Sequence, residues 1–264
     1  MPPVIDVIRH AEATHNVTGD VYERDPNLTM KGETQAFRLG RSYAYMGHIS
    51  HVVSSPMRRA VRTAIVAFED VLLAGKRVIL LPELQETGAR PSDMGQPPNS
   101  LEAAFRPHID SSLLDRNWFY KGQGSKYIPD VALIEERARE ARVFLRDLAQ
   151  SGPDNAHIVV VSHGGFLQFL TEDFAGLSER YFTVYGNTAL RSYRFANLFG
   201  RDPDAKLVET SWSCQRSGLP RFIDMSDDDK KRLKSYAVAR VEMQKADFEN
   251  MTKPRRPPVL THVF

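Results

Sequence analysis

The chain is predicted to fold as an α/β protein built on a largely parallel sheet, and two observations carry that expectation. Short β-rich runs alternate along the sequence with longer helical patterns, the rhythm of strands joined by crossover helices. One run, Ile158 to Val161, is also continuously apolar, as a strand covered on both faces requires.

The elements follow in order. The first strand is VIDVI, Val4 to Ile8. A helix is expected from about Thr29 to Met46, with Gly32 and Glu33 in its first turn. The strand HVVSS (His51 to Ser55) precedes a helix over Met57 to Leu73, apolar at Ala60, Ala64, Ala67, Phe68 and Val71. VILLP (Val78 to Pro82) is the third strand. Ile134 to Ala149, rich in Glu, Arg, Ala and Leu, reads as a helix stopped by Gly152-Pro153. HIVVVSH (His157 to His163) is the fourth strand. Thr87 to Pro129 breaks the rhythm, with Pro91, Pro97, Pro98, Pro107 and Pro129 and the cluster Trp118, Phe119 and Tyr120. It is expected to be an insertion over one end of the sheet, forming a lid. In the tail, Ser226 is placed to cap a helix whose first turn holds Asp227 to Asp229, which suit its positive end. That helix should run to about Asn250, followed by the extended, Pro-rich KPRRPPVLTHVF. One domain spanning residues 1–264 is expected, with no internal repeat.

Composition narrows the functional classes. Hydrophobic residues make up 42% and charged residues 26% of the 264, enough apolar material for a substantial core. A net charge of +2 argues against nucleic acid as the main partner, since a phosphate-backbone binder shows a clear basic excess. The one cysteine, Cys214, excludes an intramolecular disulfide and a cysteine-based zinc cluster. No secretory leader is visible, nor an apolar run of about 18 residues that would cross a membrane. A soluble cytoplasmic protein with no membrane association is the expectation.

In an open parallel sheet, ligands bind beyond the carboxyl ends of the strands. The first strand delivers Arg9 and His10 there; the second delivers Ser54, Ser55 and then Arg58, Arg59 and Arg62. The third delivers Glu83 and Glu86, and the last His163, Gly164 and Gly165. Singly each has an ordinary explanation. Arg9-His10 could be a surface pair, the arginines a solvated helical face, Glu86 a loop carboxylate, and the glycines a turn needing positive φ. Together they assemble two histidines, a group of arginines and a carboxylate, the ingredients for an anionic substrate. Histidines as metal ligands are the weaker alternative, because no Asp/Glu/His cluster with ligand spacing accompanies them.

RHAEATHN (9–16), SSPMRRAVRTA (54–64), LQE (84–86) and VVSHGG (160–165), in that order, resemble the motifs of the histidine phosphatase, or phosphoglycerate mutase-like, superfamily. With Asn187 the resemblance covers roughly three quarters of the chain. It implies a three-layer α/β/α sandwich and a phosphoryl-transfer reaction without cofactor or metal. His10 then corresponds to a nucleophile forming a phosphohistidine, and Arg9, Arg59 and His163 to the phosphate pocket. Glu86 corresponds to the proton donor and Asn16 to a supporting residue, while no role carries over to Arg62. The chemistry is coherent: a neutral imidazole attacks phosphorus, guanidinium groups bind phosphate oxygens, and a carboxylic acid protonates the leaving alkoxide.

The motif also departs from the family pattern. Ala11 stands where glycine is usual, which is tolerable if that residue does not need positive φ. Ala13 and His15 replace the Ser/Thr and Trp typical of true mutases, and Thr87 to Asp93 lacks the mutase pattern. A phosphomonoester hydrolase acting on a small phosphorylated metabolite is therefore favoured over a mutase. A phosphate-binding module and a biosynthetic enzyme with a reused pocket are the remaining readings. Arg90 and Asp93 are the foremost specificity candidates, ahead of Arg106, His108 and Trp118. The tail helix is expected either to pack over the site or to join copies into a homo-oligomer, and the sequence leaves both open.

Overall fold

A computed structural model describes residues 2–181, 183–200 and 202–253. The strands of these residues are β1 (Val4–Arg9), β2 (Ile49–Ser54), β3 (Val78–Leu80), β4 (Ile109–Asp110), β5 (His157–Ser162), β6 (Leu190–Phe195) and β7 (Leu207–Glu209). They pair in the order β4-β3-β2-β5-β1-β6-β7. The first five positions are mutually parallel, and β6 runs antiparallel to β1 and to β7. The helices are α1 (Thr14–Thr18), α2 (Met30–Ser42), α3 (Arg58–Ala67), α4 (Glu69–Leu73), α5 (Pro98–Phe105), α6 (Val131–Ser151), α7 (Gly164–Thr171), α8 (Ser211–Ser217) and α9 (Asp227–Thr252). None of these helices is long and apolar enough to cross a membrane.

Successive side chains of a strand leave opposite faces of the sheet, so the central strands need apolar residues at every position. Ile5, Val7, Val53, Ile158 and Val160 enter one core, together with residues of α6, α7 and α9. Ile8, Val52, Val159 and Val161 enter the other, with residues of α3, α4 and α5. The result is the expected three-layer arrangement. Asp6 interrupts the apolar run of β1, yet it is fully satisfied: Tyr43 Oη, His157 Nδ1 and Ser192 Oγ all meet its carboxylate.

Several boundaries differ from the sequence expectation. The first long helix stops at Ser42, because the next residue, Tyr43, turns inward to meet Asp6. The expected helix over 57–73 is two helices, broken at Phe68, whose backbone leaves helical geometry as its ring packs edge-on against Tyr43. α6 begins earlier than expected because Asp130 accepts hydrogen bonds from the backbone N–H groups of Ala132 and Leu133. The last helix is capped by Ser226 as expected, and buries Leu233, Ala237 and Val241 at helical spacing. The extended tail expected at 254–264 lies outside the described residues.

The stretch 87–129 divides in a way its proline content does not reveal. Residues 88–90 and 92–93 line a cavity at the carboxyl ends of the strands. α5 packs on one core, and β4 pairs with β3 to become the edge of the sheet. Within the stretch, two residues thus extend the edge of the sheet. Trp118 is fully buried in that core rather than facing a ligand.

Candidate active site

Register brings the site together. Arg9 pairs with Ser162, and Ser54 with Val161. The next residue on each chain, His10, Ser55 and His163, therefore emerges at the same end of the sheet. The His10 and His163 rings lie 5.1 Å apart, and His163 Nε2 is 2.8 Å from Ser55 Oγ.

The environment of His10 fixes its tautomer. Nδ1 is 2.7 Å from the carbonyl oxygen of Ala11, which can only accept, so Nδ1 carries the proton. Nε2 then has its lone pair available, and Arg59 Nε–H donates to it at 3.3 Å. Burial, followed by the nearby charges of Arg59, holds the His10 pKa well below the usual histidine value. The same causes act on His163. His10 is thus a neutral imidazole with Nε2 directed at an arginine-lined cavity. Ala11 lies outside the left-handed region and Thr63 Oγ1 accepts from its N–H, so the missing glycine costs nothing here.

The cavity is about 360 Å³, and Arg9, His10, His15, Asn16, Arg59 and Glu86 are among its lining residues. Arg59, almost wholly buried, also donates to Ser92 O at 2.8 Å and lies 3.4 Å from Asp93 Oδ1. Arg9 Nη1 donates to Tyr185 O at 2.8 Å, while its buried Nε–H has no acceptor among the described residues. An unmatched buried donor beside a second guanidinium marks a place for anionic oxygen. Asn16 Oδ1 accepts from Ala13 N, and Asn187 Nδ2 donates to His10 O at 3.0 Å, fixing the loop that carries the imidazole. His15, noted in the sequence only as a departure, also faces the cavity. Burial and then Arg59 push its pKa down to about 4.

Glu86 approaches from the segment after β3. Its Oε1 accepts from the backbone N–H groups of Thr87 (2.9 Å) and Phe166 (3.0 Å), and Oε2 from Gly165 N at 3.3 Å. Burial pushes its pKa up, but Arg240, the Thr87 N–H and Arg59 outweigh burial and hold the carboxyl below its ordinary value. The segment is pinned from behind. Arg137 donates to Glu83 O and Gln85 O, and Lys121 Nζ to Glu86 O and Gly88 O.

The glycines of SHGG serve close approach and not a left-handed turn, since neither has positive φ. A Cβ on Gly165 would stand 2.6 Å from Glu86 Oε1, and one on Gly164 2.7 Å from Thr183 Oγ1.

The structure sorts the remaining sequence candidates. Arg90 and Asp93 line the cavity; Arg90 pairs with Asp247 of α9. Arg106 pairs with Glu102 on the exposed face of α5, His108 precedes the edge strand, and Trp118 is core, so these three do not reach the cavity. Arg58 lies over the Phe105 ring and Arg62 pairs with Glu33 at 2.8 Å, both outside the lining. The contribution missed in sequence is α9, which sends Arg240, Met243, Gln244 and Asp247 into the cavity wall. A larger groove of about 570 Å³ lies between α6 and α9, where Lys234 pairs with Glu135 and Arg139 with Glu136; no histidine, cysteine, serine or threonine is among its described lining residues.

A buried neutral imidazole among guanidinium groups, with a carboxylate at a helix N-terminus, defines a phosphoryl-handling α/β enzyme. The chain belongs to the histidine phosphatase superfamily (branch 1), whose family model matches residues 5–198. A protein described as a probable phosphoglycerate mutase GpmB from Erwinia tasmaniensis is 31% identical over 176 residues, covering 65% of this chain and 74% of that protein. The crystal structure of the ecdysone phosphate phosphatase from Bombix mori, in complex with tungstate, superposes with a TM-score of 0.54 at 18% identity. It covers 73% of this chain and 89% of that one. That likeness concerns the fold.

Proposed function

We propose that this chain is a phosphomonoester hydrolase acting on a small phosphorylated metabolite, without metal, through a phosphohistidine at His10 Nε2. The observation that carries the reading is the unprotonated Nε2 of a buried, neutral His10, which accepts from Arg59 at the wall of a cavity that Glu86 also lines. Arg9, Arg59 and His163 hold the phosphoryl oxygens, and Asn16, with Asn187, steadies the loop of the nucleophile. Nε2 attacks phosphorus as the ester P–O bond breaks, and the departing oxygen takes a proton from Glu86. A dianionic phosphate beside Glu86 raises the pKa of that carboxyl, so a group held ionised in the empty pocket takes up a proton as substrate enters. Water then attacks phosphorus and gives its proton back to Glu86. The N–P bond breaks, phosphate leaves and His10 is restored. Arg90, at the mouth, contacts the remainder of the substrate.

The 31% identity to a probable mutase supports a second reading, in which the phosphoenzyme returns its phosphoryl group to another oxygen of the same sugar acid. His15 and Ala13 in place of the mutase residues favour hydrolysis. The test is phosphate release across a panel of phosphorylated metabolites, wild type against His10→Ala, with acid-labile phosphate trapped on the protein. Hydrolysis should require His10. Equal turnover by the variant refutes the mechanism, and isomer formation without phosphate release selects the mutase.

A further inference from the structure

The family match ends at residue 198, whereas α9 begins at Asp227 and still forms part of the cavity wall. Its contribution has helical spacing. Arg240, Gln244 and Asp247 stand at i, i+4 and i+7, so they share one face, beside the face that buries Leu233, Ala237 and Val241. Each meets the segment that carries Glu86. Arg240 Nη2 lies 4.0 Å from Glu86 Oε2, Gln244 Oε1 accepts from Thr87 Oγ1 at 2.9 Å, and Asp247 pairs with Arg90. Arg240 also sits over the N-terminus of α7: a Cβ on Gly165 would be 2.9 Å from its Nη1.

We propose that Arg240 is a substrate-binding residue, a third guanidinium of the phosphoryl pocket supplied by a helix outside the family-matched region. The proposal rests on the phosphomonoesterase reading above. Its logic is charge exchange. Asp93 stands by Arg59 and Asp247 by Arg90, and Arg240 Nη2 lies 4.0 Å from Glu86 Oε2. When Glu86 is protonated for its work as an acid, Arg240 loses an anionic neighbour. A phosphoryl oxygen entering above the α7 N-terminus replaces it. Resting counter-ion and substrate ligand are then successive roles of one side chain, and α9 holds it in reach of both.

The test compares Arg240→Met, Arg240→Lys and, on the far side of α9, the exposed Glu242→Ala. Binding of inorganic phosphate is measured by calorimetry and hydrolysis of p-nitrophenyl phosphate by steady-state kinetics. Losing one charge-assisted contact should weaken phosphate binding and raise KM about 10- to 100-fold in Arg240→Met. Arg240→Lys should recover most of that loss, and Glu242→Ala should stay within twofold of wild type. Phosphate binding and KM within twofold of wild type in Arg240→Met overturn the proposal, as does an equal loss in Glu242→Ala. Hydrolysis that survives His10→Ala refutes the phosphohistidine mechanism instead, and the calorimetric comparison still decides whether Arg240 binds phosphate.

Discussion

Gly165→Ala separates the work of Glu86 from the stability of the fold. The new methyl carbon would stand 2.6 Å from Glu86 Oε1 and 2.9 Å from Arg240 Nη1, on the order of 1 Å inside ordinary contact. Both obstacles are ends of flexible side chains, so the carboxylate moves and the backbone stays. Moving it lengthens its hydrogen bonds from Gly165 N, now 3.3 Å, and Phe166 N, now 3.0 Å. The helix gains roughly 1 kcal/mol from replacing Gly by Ala, which offsets the roughly 1–3 kcal/mol of weakened hydrogen bonds. Stability should therefore change little. Catalysis should not be spared, because a displacement of about 1 Å in a reacting group costs on the order of 100-fold. The assay is kcat/KM, which reports the steps through phosphoenzyme formation, alongside urea unfolding. An alkyl phosphate should suffer more than p-nitrophenyl phosphate, whose acidic phenol needs less help from an acid. A variant with wild-type stability and kcat/KM within threefold on both substrates would show that the placement of Glu86 has no part in the reaction.

Other expectations follow from the same geometry. His10, held neutral by burial and by Arg59, should show no NMR titration between pH 8 and 5.5, where an ordinary histidine gains most of its proton. A midpoint near 6.5 would contradict the tautomer and charge assigned to it. Asp25 is buried, accepts from Arg58 N through Oδ1, and has its pKa pushed by burial from 3.8 to about 6. The folded state then binds more protons than the unfolded one between about pH 4 and 6, so stability is greatest below that window and falls as pH rises through it. At about 1.4 kcal/mol per pH unit the full loss is roughly 3 kcal/mol, of which about 2 kcal/mol falls between pH 4.5 and 7; Asp25→Asn should remove it, as urea unfolding at those two pH values would register. An equal pH dependence in the variant assigns the effect elsewhere. Trp118→Ala should cost about 3–5 kcal/mol by emptying a core position. Arg106→Ala, on the exposed face of α5, should leave kcat/KM within twofold. A selective loss of one substrate in that variant would restore Arg106 to the specificity residues.

The sequence carried much of the candidate site because parallel strands bring their carboxyl ends together. VIDVI and HIVVVSH are strands in any context that covers both faces, and parallel pairing puts their last residues side by side. Arg9, His10, Arg59, Glu86 and His163 were legible on that ground. The proline-rich stretch 87–129 was not, because prolines mark where regular structure stops without saying what the interruption packs against. Trp118 shows the same difficulty: an aromatic residue in an irregular segment looks the same in sequence whether it faces a ligand or a core. The break at Phe68 depends on Tyr43, 25 residues earlier, turning in toward Asp6, and no local pattern encodes it.

Local patterning thus suffices for what short-range physics settles: the alternation of strands and helices, the Ser226 cap, and the motifs at the strand ends. The environment of His10 is different: its Nδ1 proton goes to the carbonyl of the adjoining Ala11, but the guanidinium at Nε2 is that of Arg59, brought in from α3. So is the role of the second glycine in SHGG, which is to leave room for a carboxylate 79 positions earlier in the chain. The tail helix shows the same division. Its N-cap and its apolar spacing announce a helix, but whether Arg240 meets solvent, another copy or Glu86 depends on where Leu233, Ala237 and Val241 find a core. Burial of that face fixes the rotation of α9, and the rotation delivers the guanidinium to the cavity.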